Sequence, residues 1–104
     1  MTLKELCKLS HTIAVEKGFW DYTRNDGEMI ALMHSELSEA LEGIRLGNPP
    51  SDKIPEFSCA EEEFADLLIR VADTCEERGY RLTEAIEAKM KYNKNRPYKH
   101  GKNF

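Results

Sequence analysis

Glu36 and Glu39 stand three positions apart in one strongly helical stretch of the chain, and Glu63 and Asp66 stand three apart in the next. Residues i and i+3 share a helix face, with Cβ atoms about 5–6 Å apart, so each pair aims two carboxylates at one spot. Two such helices packed together would converge all of these carboxylates. Without a counter-charge the cluster is costly, because like charges about 5 Å apart repel by roughly 3 kcal/mol at an effective dielectric near 20. A hard divalent cation removes the problem. Carboxylate oxygens suit Mg²⁺, with Mn²⁺ as a possible substitute, and Mg²⁺ held by a few carboxylates keeps positions for water and for substrate phosphates.

An isolated ExxE or ExxD is ordinarily a solvated helix face. Two pairs on consecutive helices, both beside the apolar stripe, point as much to a cation site as to solvated charge. A carboxylate-bridged di-iron bundle would need Glu-x-x-His pairs, and neither pair has its histidine.

The elements that must position these acids are legible from periodicity and punctuation, and they predict an all-α, four-helix fold. Helix 1 is expected from about Leu3 to Lys17, opened by the Thr2/Glu5 capping box and closed by Gly18. The second runs from about Asp26 to Leu46, capped by Asn25 and stopped by Gly47-Asn48-Pro49-Pro50. Residues 47–57 read as a loop. A third helix opens at Ser58, paired with Glu61 in a second capping box, and closes at Gly79. The fourth follows Thr83 and fades before Pro97. No segment alternates with period two.

At about 100° per residue, the expected core stripe of the second helix is Ile30, Met33, Leu37, Leu41 and Ile44, with Glu36 and Glu39 on its flank beside Met29, Leu32 and Gly43. In the third helix the expected core is Ala60, Phe64, Leu67, Leu68, Val71 and Cys75, flanked by Glu63, Asp66, Arg70 and Asp73. Glu61 has its capping role, and Glu62 reads as ordinary solvated charge.

The chain of 104 residues, 33% charged and 40% hydrophobic, is read as one soluble domain (1–104) with a modest core that a partner subunit would complete. No apolar run reaches membrane length and the N-terminus reads as a helix start, so the expected location is cytoplasmic, with no membrane partner. Cys7, Cys59 and Cys75 lack the spacing of a zinc site or a disulfide framework. The net charge of −4 conceals an asymmetry: residues 89–104 carry +6 and the preceding 88 carry −10. An acidic body disfavours a nucleic-acid polymer as partner, whereas the basic tail (94–104) beside a metal-loaded acidic cluster would attract a small phosphate ligand.

In order along the chain, Ser35-Glu36-Leu37-Ser38-Glu39-Ala40-Leu41, then Glu62-Glu63-Phe64-Ala65-Asp66-Leu67-Leu68-Ile69, then Lys89 through Asn93 to Arg96-Pro97 resemble the MazG-like all-α nucleoside triphosphate pyrophosphohydrolases. The resemblance spans nearly the whole chain. It implies Mg²⁺-dependent hydrolysis of a nucleoside triphosphate between the α and β phosphates, as nucleotide-pool house-cleaning, by a homodimer or a dimer of dimers. By the same motif Glu36, Glu39, Glu63 and Asp66 would be metal ligands, with Glu36 or Glu39 also orienting the attacking water. The family's first motif often opens with a double glutamate; here Ser35 precedes Glu36, leaving one carboxylate fewer.

Lys89, Asn93 and Arg96, at i, i+4 and i+7, would meet phosphates, with Lys102 following; a cationic helix C-terminus favoured by its dipole explains the same residues without a ligand. Base recognition would resemble the family's use of helix 1 and the turn after it, through His11 and Trp20. An indole gives a stacking platform worth roughly 1–3 kcal/mol per base, yet Trp20 also suits core closure. The alternative function, from a different class, is a non-catalytic helical oligomerisation or interaction module with an acidic flank.

Overall fold

The computed structural model describes residues 1–104 and is all-helical: α1 (Leu3–Glu16), α2 (Asp26–Arg45), α3 (Cys59–Arg78) and α4 (Leu82–Lys94), followed by a short 3-10 turn at Tyr98–Gly101. Each of the first three helices starts where a side chain takes up an otherwise orphan backbone N–H. Thr2 accepts from the Glu5 amide at 3.1 Å while Glu5 reaches back to the Thr2 amide, also at 3.1 Å. Asn25 accepts from the Glu28 amide at 2.8 Å, and Ser58 and Glu61 form the second reciprocal box. α3 ends on Gly79 at φ 69°, the left-handed conformation that a glycine adopts without a Cβ clash. α4 begins at Leu82 and lacks a side-chain cap.

α3 is the central element. α1 and α2 both pack on it, and α4 buries none of its residues. The loop from 46 to 58 is folded back on the start of α3 by three bonds: the Ser51 amide to the Phe57 carbonyl (2.8 Å), the Cys59 amide to the Pro49 carbonyl (2.8 Å), and the Ala60 amide to the Asn48 side chain (2.9 Å). Ser51, 1% exposed, donates its hydroxyl to Glu62. Glu62 is thus a buried, engaged carboxylate, which corrects its reading as solvated charge.

A second correction concerns the core. On α2 the buried residues are Met29, Glu36, Ala40 and Gly43, one position off the expected stripe, whereas Ile30, Leu37, Leu41 and Ile44 are exposed. On α3 Phe64 and Leu68 are exposed as well, and Ala60, Ala72 and Asp73 are buried. The small residues Ala40, Gly43 and Ala60 at the α2–α3 seam explain the difference. Two helices approach most closely where side chains are small, so that seam becomes the contact and the large apolar stripe is left outside.

The result is open in shape. The Cα radius of gyration is 16.1 Å, against about 13 Å for a compact domain of this length. The accessible surface is 8007 Å², roughly a third above the scaling value for a compact monomer of this mass. No helix is long and apolar enough to cross a membrane.

Gly43 sets the α2–α3 distance: a Cβ built there would lie 2.9 Å from the Cβ of Cys59, close to rigid backbone. Gly43→Ala is expected to destabilise the fold by about 1–3 kcal/mol through overpacking, despite the better helix propensity of alanine. Urea denaturation of the two proteins checks this, with an unchanged midpoint as the contrary result.

Candidate metal centre

The close α2–α3 seam brings the acidic pairs together. Ligand oxygens of Glu36, Glu39 and Glu63 lie within 4.8 Å of one another, and so do those of Glu62, Glu63 and Asp66. Glu63 belongs to both groups. Glu36 is 6% exposed, Glu63 and Asp66 are half-buried, and Glu39 is exposed at the edge. All four acids singled out by spacing therefore meet, and Glu62 joins them.

Charge at this seam is balanced by two devices. Arg70, one turn beyond Asp66, donates from Nε to Glu36 Oε1 at 2.8 Å. Burial alone would raise the Glu36 pKa, but the hydrogen bond and charge of Arg70, with hydrogen bonds from Glu63 and Glu39, hold it below the ordinary carboxylate value. Glu63 takes the opposite course. Burial, its hydrogen bonds to Glu36 and Glu39, and the Glu39 and Glu62 charges push it up to about 8. Asp66 is also raised, by burial and then by the charges of Glu36 and Glu62.

One oxygen of Glu36 and one of Glu63, each Oε2, are buried with no hydrogen-bond partner outside the carboxyl cluster itself. A buried carboxylate oxygen lacking a donor is expensive. Two such atoms beside a set of hard oxygen donors fit a divalent cation, and the donor set suits Mg²⁺ or Mn²⁺ over softer ions.

Beside the cluster lies a cavity of about 580 Å³ floored by α3. Its apolar wall comes from Leu6, Leu9, Ile13 and Ala14 of α1 with Phe19, and its charged wall from Glu36, Glu39, Lys53, Asp66 and Arg70. This combination suits a ligand with an apolar body and an anionic, metal-seeking end.

His11 and Trp20 do come together, on Asp73, which lines the cavity, but neither is itself part of the lining. Trp20 Nε1 donates to Asp73 Oδ1 at 2.9 Å, and His11 Nδ1 meets the same oxygen at 2.9 Å. His11 Nε2 lies 3.1 Å from Glu77. The guanidinium carbons of Arg24 and Arg78 stand 5.4 and 5.8 Å from the indole centroid. In this structure both residues fasten α1 and its following turn to α3, and Phe19 is the aromatic that reaches the cavity.

Lys89, Asn93, Arg96 and Lys102 do not line the cavity. Lys89 and Arg96 lie 4.6 and 5.5 Å from the Tyr92 ring centroid, and Asn93 Oδ1 is buried without a partner. Ser51, Lys53 and Phe19 escaped sequence reasoning because loop and turn residues carry no periodicity. The only available signal was the Gly/Pro-rich loop leading directly into the second acidic helix.

No family model, curated protein or solved structure matches the chain.

The raised Glu63 pKa has a consequence for stability. Below about pH 4.5 the carboxyl is protonated whether the chain is folded or unfolded, and between about 4.5 and about 8 only the unfolded chain releases the proton. Raising the pH through that window therefore favours unfolding, and Asp66 adds to it with the same sign. In EDTA, Tm is expected to fall from pH 5 to pH 8, with a shallower slope in Glu63→Gln; equal slopes in thermal melts would contradict the assignment. Mg²⁺ or Mn²⁺ should raise Tm more at pH 8 than at pH 6, since a cation competes with the Glu63 proton.

Proposed function

We propose that the chain is a Mg²⁺-dependent nucleoside triphosphate pyrophosphohydrolase. It would cleave a (d)NTP between the α and β phosphates to give the (d)NMP and pyrophosphate, serving nucleotide-pool house-cleaning in the cytoplasm. The observation that carries the reading is the buried Glu36 Oε2, with no partner outside a ring of carboxylates that opens on a cavity with one apolar and one charged wall. The order of acidic and basic motifs along the sequence, which resembles the MazG-like enzymes, supports the same chemistry.

Glu36, Glu39, Glu63 and Asp66 would hold the cation, whose contribution when bound is to polarise phosphoryl oxygens and stabilise the leaving pyrophosphate. Water adds at the α phosphorus, the bond to the α–β bridging oxygen breaks, and the proton of the water must be accepted nearby. Glu39 is suited to orient that water and take its proton, being the exposed member of the cluster. Phe19, Leu6 and Ile13 would receive the base on the apolar wall. His11 and Trp20 support that wall through Asp73.

The exposed stripe Ile30, Leu37, Leu41 and Ile44, with the open shape, supports assembly as a homodimer or dimer of dimers. A neighbouring subunit could then bring Lys89, Asn93, Arg96 and Lys102 to the phosphates. The same stripe favours a second reading, a non-catalytic helical interaction module with an acidic flank, which predicts no turnover and tolerance of Glu63→Gln.

Pyrophosphate release from a panel of standard and modified (d)NTPs, in Mg²⁺, Mn²⁺ and EDTA, with the nucleotide product identified by chromatography, separates the two. Metal-dependent monophosphate formation is expected. Glu36→Gln and Asp66→Asn should each lower turnover on the order of 100-fold or more with helicity retained by circular dichroism. Full activity in either variant would sink the site assignment, and no turnover across the panel would favour the interaction module.

A further inference from the structure

We propose that Lys53 and Arg70 form the anion clamp of this site, gripping the phosphoanhydride of a ligand whose other oxygens meet a cation on the carboxylates. The inference rests on the metal reading above and adds residues to it that the acidic and basic motifs did not mark.

An acidic cavity repels a phosphate unless cations stand at its wall, and three lining side chains are cationic: Arg24, Lys53 and Arg70. Arg24 is already committed. It is 7% exposed, lies 3.4 Å from Glu28, and stands against the rings of Phe19 and Trp20. The α4 cations do not reach the lining.

Lys53 combines a fixed stem with a free head. Its amide donates to the Ser51 hydroxyl oxygen at 3.1 Å, as does the amide of Ile54, and Ser51 is itself buried against Glu62. The loop is thereby anchored next to Glu63. The side chain is 76% exposed, with Nζ 3.6 Å from Glu62, a contact loose enough to exchange for a phosphate oxygen.

Arg70 meets Glu36 through Nε alone. Its two terminal nitrogens have no protein partner, on a side chain that lines the cavity. A guanidinium offers a planar fork that matches two phosphate oxygens. Were Glu36 to take a cation, Arg70 would lose its hold on that carboxylate and its guanidinium would be free to face the anion. Arg70 thus balances Glu36 in one state and the ligand phosphate in the other.

Opposed effects on metal and anion test this, because a merely structural role would weaken both. Titration calorimetry of the full chain with Mn²⁺, then of the Mn²⁺-loaded protein with inorganic pyrophosphate, is run on wild type, Lys53→Ala and Arg70→Gln. Lys53→Ala should leave Mn²⁺ affinity within about twofold and weaken pyrophosphate about tenfold. Arg70→Gln should bind Mn²⁺ at least as tightly as wild type and also weaken pyrophosphate about tenfold or more. Lys53 is on an exposed stem, so its variant tests the clamp even if Arg70→Gln fails to fold. Unaltered pyrophosphate affinity in Lys53→Ala, or no pyrophosphate binding to Mn²⁺-loaded wild type, overturns the clamp and leaves the metal reading standing. Absence of Mn²⁺ binding by wild type overturns both.

Discussion

Mutual repulsion among carboxylates held at one helix seam is the constraint around which this molecule is organised. α2 and α3 bring Glu36, Glu39, Glu63 and Asp66 so near one another that they cannot all be ionised without compensation. The fold answers from both sides, placing the guanidinium of Arg70 on Glu36 and leaving Glu63 with its proton. Such closeness depends on Gly43, where an added Cβ would meet the Cβ of Cys59 at 2.9 Å and push the helices, and with them the acids, apart. A stretch of helix that looks poorly suited to core packing is what gives the acids their proximity.

The helices themselves were written plainly in the sequence. Thr2, Asn25, Ser58 and Gly79 act at the positions their chemistry indicates, because capping is local and involves residues three apart. The meeting of Glu36, Glu39, Glu63 and Asp66 was legible for a related reason, as i and i+3 spacing fixes a face once the helix is known. Which face turns inward was not. Periodicity ranks stripes by hydrophobicity, and the Ile30, Leu37, Leu41 and Ile44 stripe outranks one containing Glu36 and Gly43. The packing follows steric closeness instead. Glu62 was misread on the same principle, its environment being set by Ser51 eleven residues earlier, across an aperiodic loop.

α1 and α2 lean on α3 without closing on each other, and the cavity is the space they leave. That arrangement assigns separate tasks to separate elements: α1 and Phe19 provide apolar surface, α2 and α3 provide the acids, and the 46–58 loop provides a cation. Because the loop is tied to the first turn of α3, cation and acids are held in one frame while α1 is fastened further along, at Asp73. The two regions of the site therefore have independent supports. α4 stands outside this framework, with cationic and aromatic side chains stacked on one another.

Asp73 Oδ1 has one more consequence. It joins the indole nitrogen of the chain's single tryptophan to the α3 backbone scaffold, between two guanidinium groups. Indole emission depends on local charge and hydration, so the intrinsic fluorescence of this protein is a one-site optical gauge of how firmly α1 sits on α3. The dye sits on the Asp73 carboxylate, outside the cluster of Glu36, Glu39, Glu63 and Asp66, where it would register movement of α1 and the apolar wall it carries.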